Sequence, residues 1–154
     1  MMTKTESPLS IEPTLNTSRF GQVKIITDNV LTFPEGLVGF SDFKRYILLE
    51  HGDSQGIFYW LQSMDDMSLA FPVVNPAPFN QNYKIKISIP DLSSIELTDE
   101  KDAQVLAIAT IPIGDEKKMW LNLQAPLIIN KMKKCGKQVI LDGTHHPLRF
   151  QVTF

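Results

Sequence analysis

The side chains of this sequence best suited to metal binding or nucleophilic chemistry are three histidines and one cysteine. His145 and His146 are neighbours, and in an extended chain adjacent side chains point to opposite faces, which is wrong for chelating one metal ion. A turn before Pro147 is the simpler interpretation. His51 has no partner at ligand spacing, so we assign it no role. The sequence therefore predicts no catalytic residue, no metal site and no cofactor.

Cys135 lies between Lys134 and Gly136. Nearby lysines could lower the pKa of its thiol and give a reactive thiolate, but a tolerated loop cysteine is the interpretation that we favour. Because Cys135 is the only cysteine, an intramolecular disulfide and a zinc site built on several thiolates are both excluded. This cysteine usage fits a reducing compartment.

Acidic side chains are concentrated between residues 91 and 102, where only Lys101 offsets them. Such a stretch forms an acidic patch wherever the loop folds, and it would attract a basic partner. We therefore predict that four carboxylates contact a partner protein: Glu96, Asp99, Glu100 and Asp102.

The basic run KMKKCGK at residues 131–137 could contact phosphate or an acidic protein surface, although a solvated hairpin loop explains it equally well. The formal net charge of the chain is -2, whereas a dedicated nucleic-acid binder usually has a marked basic excess. We therefore expect no direct binding of nucleic acid.

A segment rich in methionine and phenylalanine occupies residues 64–79. Adaptable side chains of these types are enriched at protein contacts, so Met64, Met67 and Phe79 are candidates for partner binding. Core packing is the competing explanation for these three, and it is the one we expect for Phe71.

Short strand patterns separated by Gly, Pro and Asn dominate the chain after Phe20. Residues 83–89 are the clearest, because Tyr and Ile alternate with Lys and Ser. Helical turns are expected only at residues 41–45 and 91–97. The pattern predicts a mostly β fold, a small antiparallel or mixed pseudo-barrel made from a folded sheet. The other strand candidates are residues 46–50, 57–62, 69–74, 105–111, 119–123, 138–141 and 148–154.

The chain of 154 residues suits a single domain, with 43% hydrophobic and 21% charged residues. Residues 1–18 are rich in Ser, Thr and Pro, so we expect a flexible tail before one domain at residues 19–154. No segment has the apolar length of a signal peptide or a membrane span. We therefore expect a cytoplasmic protein with no membrane partner.

Three stretches carry a family resemblance: LTFPEGLVGFSDFKRYILLE at residues 31–50, FYWLQSMDDMSLAFPVVNP at residues 58–76 and LNLQAPLIINKMKKCGKQVIL at residues 121–141. Their order and spacing resemble the FliW family of flagellar assembly factors between about residues 20 and 141. Trp120 departs from the family, which usually has a small residue there, and the C-terminal THHPLRFQVTF is less familiar. The motif positions taken as fold determinants are Gly36, Gly39, Phe40, Trp60, Leu61, Phe71, Pro76, Asn122, Pro126 and Asn130.

The resemblance implies a pseudo-barrel without a catalytic centre that acts by binding proteins. In that scheme it binds the translational regulator CsrA, a basic RNA-binding dimer, and relieves repression of flagellin messenger RNA. Flagellin competes for the same protein in a partner switch. Gln62, in the second stretch, is expected to be exposed and to contact a partner.

Two other functions remain open at this stage. One is a small-ligand-binding or catalytic β-barrel that uses His145, His146 and the acidic residues around an internal cavity. The other is direct RNA binding through residues 131–137, which the overall acidic balance disfavours.

Overall fold

The structure is a computed structural model that describes residues 14–17, 21–24, 27–50, 56–87, 89–112, 117–141 and 146–153. Its one α-helix in these ranges, α1, spans Ile89–Ser93, and 3-10 turns lie at Thr27–Asn29 and Glu100–Asp102. The strands are β1 Thr14–Thr17, β2 Gly21–Lys24, β3 Val30–Thr32, β4 Arg45–Glu50, β5 Phe58–Ser63, β6 Ala70–Val74, β7 Ala103–Thr110, β8 Lys118–Leu121, β9 Leu127–Asn130, β10 Cys135–Gln138 and β11 Phe150–Thr153.

Seven strands form a closed ring in the order β7, β6, β5, β4, β3, β10, β9 and back to β7. All of these pairings are antiparallel except β10 with β3, so the barrel is mixed. β8 pairs with the end of β7 and carries β11 on its other edge, while β1 and β2 form a separate two-stranded sheet. The predicted fold class, a mostly β mixed barrel with short helical turns, is confirmed.

β7 occupies the centre of this arrangement, as its continuous apolar run predicts. Its first half, Ala103 to Leu106, pairs with β9, and Ala109 and Thr110 pair with β8. Its other edge meets β6 at Ala107 and Ile108. Its side chains are also buried on both faces, since Leu106 is in one core cluster and Ala107 and Ala109 are in another, which accounts for its lack of polar alternation.

The alternation of side chains along β7 and β9 separates the barrel interior from its outside. Leu106 and Leu127 are buried in the interior cluster with Phe33, Tyr46 and Leu61. Ile128 points the opposite way and is buried in a second cluster with Ile95. Because successive strand residues face opposite sides, the second cluster lies on the outer face of these two strands. We call it the outer cluster.

A tight turn after β3 depends on Gly36. Its N–H donates to the Phe33 carbonyl at 2.8 Å, and its φ of +69° is in the region that favours glycine. A Cβ at this position would lie 2.6 Å from Ser41 Cα, which is backbone and cannot move aside. Leu37, beside it, is buried against the barrel interior.

Several predictions about local structure are wrong. Residues 83–87 form no strand in the described part of the chain. Their side chains alternate in burial because Ile85 and Ile87 pack against the outer cluster, and not because the segment pairs within a sheet. Residues 41–45 form no helical turn, because the Asp65 carboxylate accepts the amides of Lys44 and Arg45 at 3.0 and 3.2 Å and holds them at the start of β4.

The predicted tail, residues 1–18, is wrong for Thr14–Thr17, which form β1 and pair with β2. A lack of apolar residues predicts a tail, whereas a polar strand can be ordered by main-chain hydrogen bonds to its neighbour. The predicted strand at residues 138–141 lies earlier, in β10, and β9 was missed because a short apolar run does not by itself distinguish strand from helix. The helical turn expected at residues 91–97 begins earlier, as α1.

We predict that Gly36→Ala lowers the free energy of unfolding by about 2 kcal/mol or more, because it combines an unfavourable φ with a backbone clash. Gly39→Ala is the matched control. Gly39 also has a positive φ, +85°, but a Cβ there would meet nothing within 4 Å, so the expected cost is only about 1 kcal/mol. Urea unfolding of both variants measures the difference, and equal losses would contradict the clash.

Candidate partner-binding groove

A groove of about 850 Å³ lies on the outer face of β7 and β9. Its floor includes Val105 and Ile128, which are directly opposite each other in the β7–β9 register. One wall is the segment that contains Ile85 and Ile87. The remaining lining is supplied by the helix, the loop that follows it and the first residue of β7: Leu92, Leu97, Thr98, Asp99, Glu100, Lys101 and Ala103.

The wall formed by residues 83–87 is attached to the barrel at its first residues. The Tyr83 hydroxyl donates to the Leu123 carbonyl at 2.7 Å, and the Tyr83 ring meets the His146 ring edge-on with centroids 4.7 Å apart. His146 Nε2 lies 3.0 Å from the Lys84 carbonyl oxygen. These contacts hold the segment along the edge of the groove although it belongs to no sheet.

The rim of the groove is the loop between α1 and β7. Ile95 and Leu97 are buried in the outer cluster and fix the loop to the barrel. Glu96 between them has φ 56°, and its side chain is exposed. Asp99 caps the 3-10 turn at Glu100–Asp102 by accepting the Lys101 amide at 3.0 Å, and Glu100 is exposed at the rim.

The basic run lies next to the acidic loop, an arrangement that sequence reasoning did not predict. Lys133 Nζ lies 3.9 Å from Glu96 Oε1, and the Lys131 amide donates to the Asp102 carbonyl at 2.9 Å. Lys101 Nζ lies 3.6 Å from Asp99 Oδ2. Both ion pairs are exposed and are therefore weak. Of the four predicted acidic contacts, Asp99 and Glu100 line the groove. Glu96 and Asp102 instead contact residues 131–134, which form a turn within the basic run and are called the basic turn below.

Asn130 joins the acidic loop to the basic turn. Its Nδ2 donates to the Ile95 carbonyl at 2.9 Å, and its Oδ1 accepts the amides of Met132 and Lys133 at 3.0 and 3.2 Å. The side chain is buried, so these bonds replace water with three main-chain partners. The Asn130 amide therefore acts with the buried side chains of Ile95 and Leu97 to fix the groove rim on the barrel.

Cys135 begins β10 beneath the same loop, with Sγ 3.3 Å from the Ile95 carbonyl oxygen. Burial and the charge of Glu96 raise the pKa of its thiol, and these effects outweigh the lowering by Lys133. The reactive-thiolate alternative is therefore not supported.

The described residues contain no group of three or more His, Cys, Asp and Glu side chains that could hold a metal ion. Of the three histidines, His51 and His145 lie outside the described residues, and His146 is in the contacts of the wall segment. No helix in the part of the chain that the structure describes is long and apolar enough to cross a membrane.

The FliW protein family model matches residues 14–152 of this chain. The chain belongs to the FliW family. Similar proteins include the flagellar assembly factor FliW of Natranaerobius thermophilus, 39% identical over 138 residues, with 87% of this chain and 91% of that protein covered. The flagellar assembly factor FliW of Leptospira biflexa is 40% identical over 136 residues, with 88% of each chain covered.

A crystal structure of the flagellar assembly factor FliW has the same fold, with a TM-score of 0.82 and 28% sequence identity. The match covers 92% of this chain and 98% of that one. The family match also extends beyond the expected limit at about residue 141 and includes the greater part of β11, and at its other end it includes β1. The less familiar C-terminal strand is therefore part of the FliW domain.

The polar motif residues of the FliW family act here on the main chain of loops. The prediction that Gln62 is exposed and contacts a partner is wrong, because Gln62 is fully buried. Its Nε2 lies 2.9 to 3.2 Å from three carbonyl oxygens, those of Ser63, Met67 and Leu69. Asn122 Oδ1 accepts the amides of Gln124 and Ala125 at 3.2 and 3.0 Å.

The apolar motif residues pack in and around the barrel interior. Leu61 is fully buried, and Phe71 is half-buried with its ring 5.3 Å from that of Phe40. Trp60 is half-buried opposite Pro72 in the β5–β6 register. Pro76 and Pro126 are buried, and each carbonyl accepts an amide, from Phe79 and Val139 respectively, at 3.0 Å.

The methionine and phenylalanine candidates lie outside the groove lining. Met64 and Met67 are half-buried. Phe79 is also half-buried, with its ring 6.0 Å from that of Phe58. Sequence reasoning missed the aliphatic lining of the groove. The alternation at residues 83–89 is a signal of this lining, but by itself it predicts a paired strand.

We expect Asn130→Ala to lower the free energy of unfolding by about 2 kcal/mol or more, because the Ile95 carbonyl and two turn amides lose their buried partner. The variant should also make residues 96–102 more sensitive to limited proteolysis. Asn122→Ala is the control, since the Asn122 side chain accepts only the nearby amides of Gln124 and Ala125. If proteolysis of the loop were the same in both variants, Asn130 would not hold the rim.

Burial raises the pKa of Tyr83 to about 12. A tyrosine whose pKa is raised in the folded state contributes stability below its unfolded pKa of about 10 and loses it as the pH rises toward 12. We therefore predict that unfolding free energy falls less between neutral pH and pH of about 11 in Tyr83→Phe than in the parent protein. Urea unfolding at both pH values tests this, and equal declines would disprove it.

Proposed function

We propose that this protein is a non-catalytic cytoplasmic regulator that binds the translational repressor CsrA and flagellin in a partner switch. Binding of CsrA relieves repression of flagellin messenger RNA, and accumulating flagellin occupies the protein and releases CsrA. The observation that carries this proposal is the match to the FliW family over residues 14–152. The groove with its acidic rim supplies a surface on which a protein partner can bind.

The chemistry of the groove suits a partner segment that is both aliphatic and basic. Its wall and floor are aliphatic side chains, which exclude water from a bound segment and favour its apolar residues. Glu100 is exposed at the rim, and Glu96 is exposed on the same loop. Carboxylates in these positions favour Lys or Arg on the partner and speed encounter with a positively charged surface.

A partner switch of this kind follows from mass action between two complexes. If CsrA and flagellin each bind the same folded protein and exclude one another, the free concentration of one sets the fraction bound to the other. No covalent step is needed. The closed barrel supports such a role, because a rigid surface loses little conformational entropy when it binds.

We predict that the double variant Glu96→Lys/Glu100→Lys associates with CsrA about 10-fold more slowly at low salt, because the acidic rim no longer steers a basic partner. Stopped-flow or surface-binding kinetics at several salt concentrations measure the effect. The matched control is Asp28→Lys/Asp42→Lys, which makes the same change in net charge at two exposed carboxylates that do not line the groove. Equal slowing in both variants would show that the net charge of the protein, and not the acidic rim, determines the association rate.

The regulatory role itself is tested in cell-free translation of flagellin messenger RNA. CsrA should repress synthesis, this protein should restore it, and added flagellin should repress it again. A folded protein that retains neither CsrA nor flagellin in a pull-down experiment, and that leaves repression unchanged, would count decisively against the proposal.

A small-molecule ligand is the second candidate for the groove, because its volume of about 850 Å³ lies within the range of roughly 300–1,000 Å³ that is usual for ligand sites. A thermal-shift screen with nucleotides and flavins separates the two functions. A large, specific stabilisation by one compound would favour the small-molecule ligand.

A further inference from the structure

Resting on the function proposed above, we propose that the groove receives an extended segment of the basic partner, which pairs as a β-strand with the main chain of residues 85–87. The segment presents aliphatic side chains into the groove at alternate positions and a Lys or Arg to Glu100. The wall segment would thereby gain a ladder, which it does not form with any described residue of its own chain.

The main chain of the wall is already prepared for such pairing. Burial alternates from Tyr83 to Ile87, as in a strand, yet these residues belong to no sheet. Among the described residues, the N–H groups of Ile85, Lys86 and Ile87 have no hydrogen-bond acceptor. A run that alternates in burial and has unpaired amides resembles the sheet edge to which another chain adds a strand.

The wall is also held in place by its own side chains, so that binding need not order it. Tyr83 is fixed by the Leu123 carbonyl and the His146 ring. Further along, Ile85 and Ile87 pack against the cluster that contains Ile95 and Ile128. A preorganised edge loses less conformational entropy on binding than a flexible loop does.

The direction of the main-chain groups limits how a partner strand can pair. In a strand, the amides of successive residues point to opposite sides. The Lys84 carbonyl is turned toward His146, and the amide of Lys86 then shares that side, whereas those of Ile85 and Ile87 point the other way. A partner strand therefore pairs with alternate amides only.

An amphipathic helix fits these observations less well than a strand. A helix satisfies its own main-chain groups, so it would cover the wall amides without offering them acceptors. Buried polar groups without partners oppose binding. An added strand supplies carbonyl oxygens to the same amides and side chains to the groove at once.

Hydrogen exchange of the full-length protein, followed by NMR at single residues, tests the pairing with intact CsrA as the probe. In the free protein the amides of Ile85, Lys86 and Ile87 should exchange faster than that of Leu106 in β7. Saturating CsrA should slow exchange at least about 10-fold at alternate amides of the wall only. Equal slowing of all three amides would indicate a covering helix and would overturn the proposal.

A variant pair tests the groove independently. Val105→Thr keeps the side-chain shape but places a hydroxyl in the floor of the groove, so it should weaken CsrA binding about 3-fold or more. Val38→Thr makes the same change at a residue that is 62% exposed and does not line the groove, and it should leave affinity unchanged. Equal affinities of the two variants for CsrA would show that CsrA binds outside the groove.

Failure of the proposed function has a different signature. If CsrA binds and exchange at the wall is unchanged, the strand pairing is wrong while the regulatory function stands. If only flagellin slows exchange at the wall, the occupant is wrong. If the folded protein binds neither CsrA nor flagellin, the proposed function fails and the strand pairing fails with it.

Discussion

The pairing of β7 with β9 is the constraint on which the rest of the structure depends. It closes the seven-strand ring, and its register decides which side chains face inward. With Leu106 opposite Leu127 inside, Val105 and Ile128 must face outward, because neighbouring strand residues alternate. A register shift by one residue would exchange the two sets and would place the floor of the groove in the barrel interior.

Buried amide side chains carry this constraint from the strands to the loops. Asn130 ends β9 and opposes Ala103, the first residue of β7, so it is at the corner where the acidic loop enters the barrel. From there its amide reaches the Ile95 carbonyl and the basic turn. The Gln62 amide likewise contacts the loop after β5, at the carbonyl oxygens of Met67 and Leu69. Such loops have no ladder partner, and side-chain amides satisfy their main-chain groups instead.

How far the sequence predicts this molecule depends on whether a pattern reports local or distant contacts. The run at residues 105–111 identified a central strand, because continuous β-branched and apolar side chains reflect coverage on two faces. The pattern at residues 83–89 shows the limit of such reasoning, because alternation reports burial and says nothing about main-chain pairing. The closeness of Glu96 to Lys133 was likewise not predictable, since it depends on Asn130 joining segments distant in the chain.

The charges and the apolar lining of the groove have different consequences for binding. The acidic loop is partly offset by Lys101 and by the adjacent basic turn, so its field is weaker than the sequence alone indicates. Exposed carboxylates are also screened by salt over a distance of about 8 to 10 Å. The aliphatic wall and floor are not subject to such screening, and main-chain pairing has a fixed direction. The charges would therefore govern how fast a basic partner arrives, while the groove and the wall amides would govern which segment stays bound.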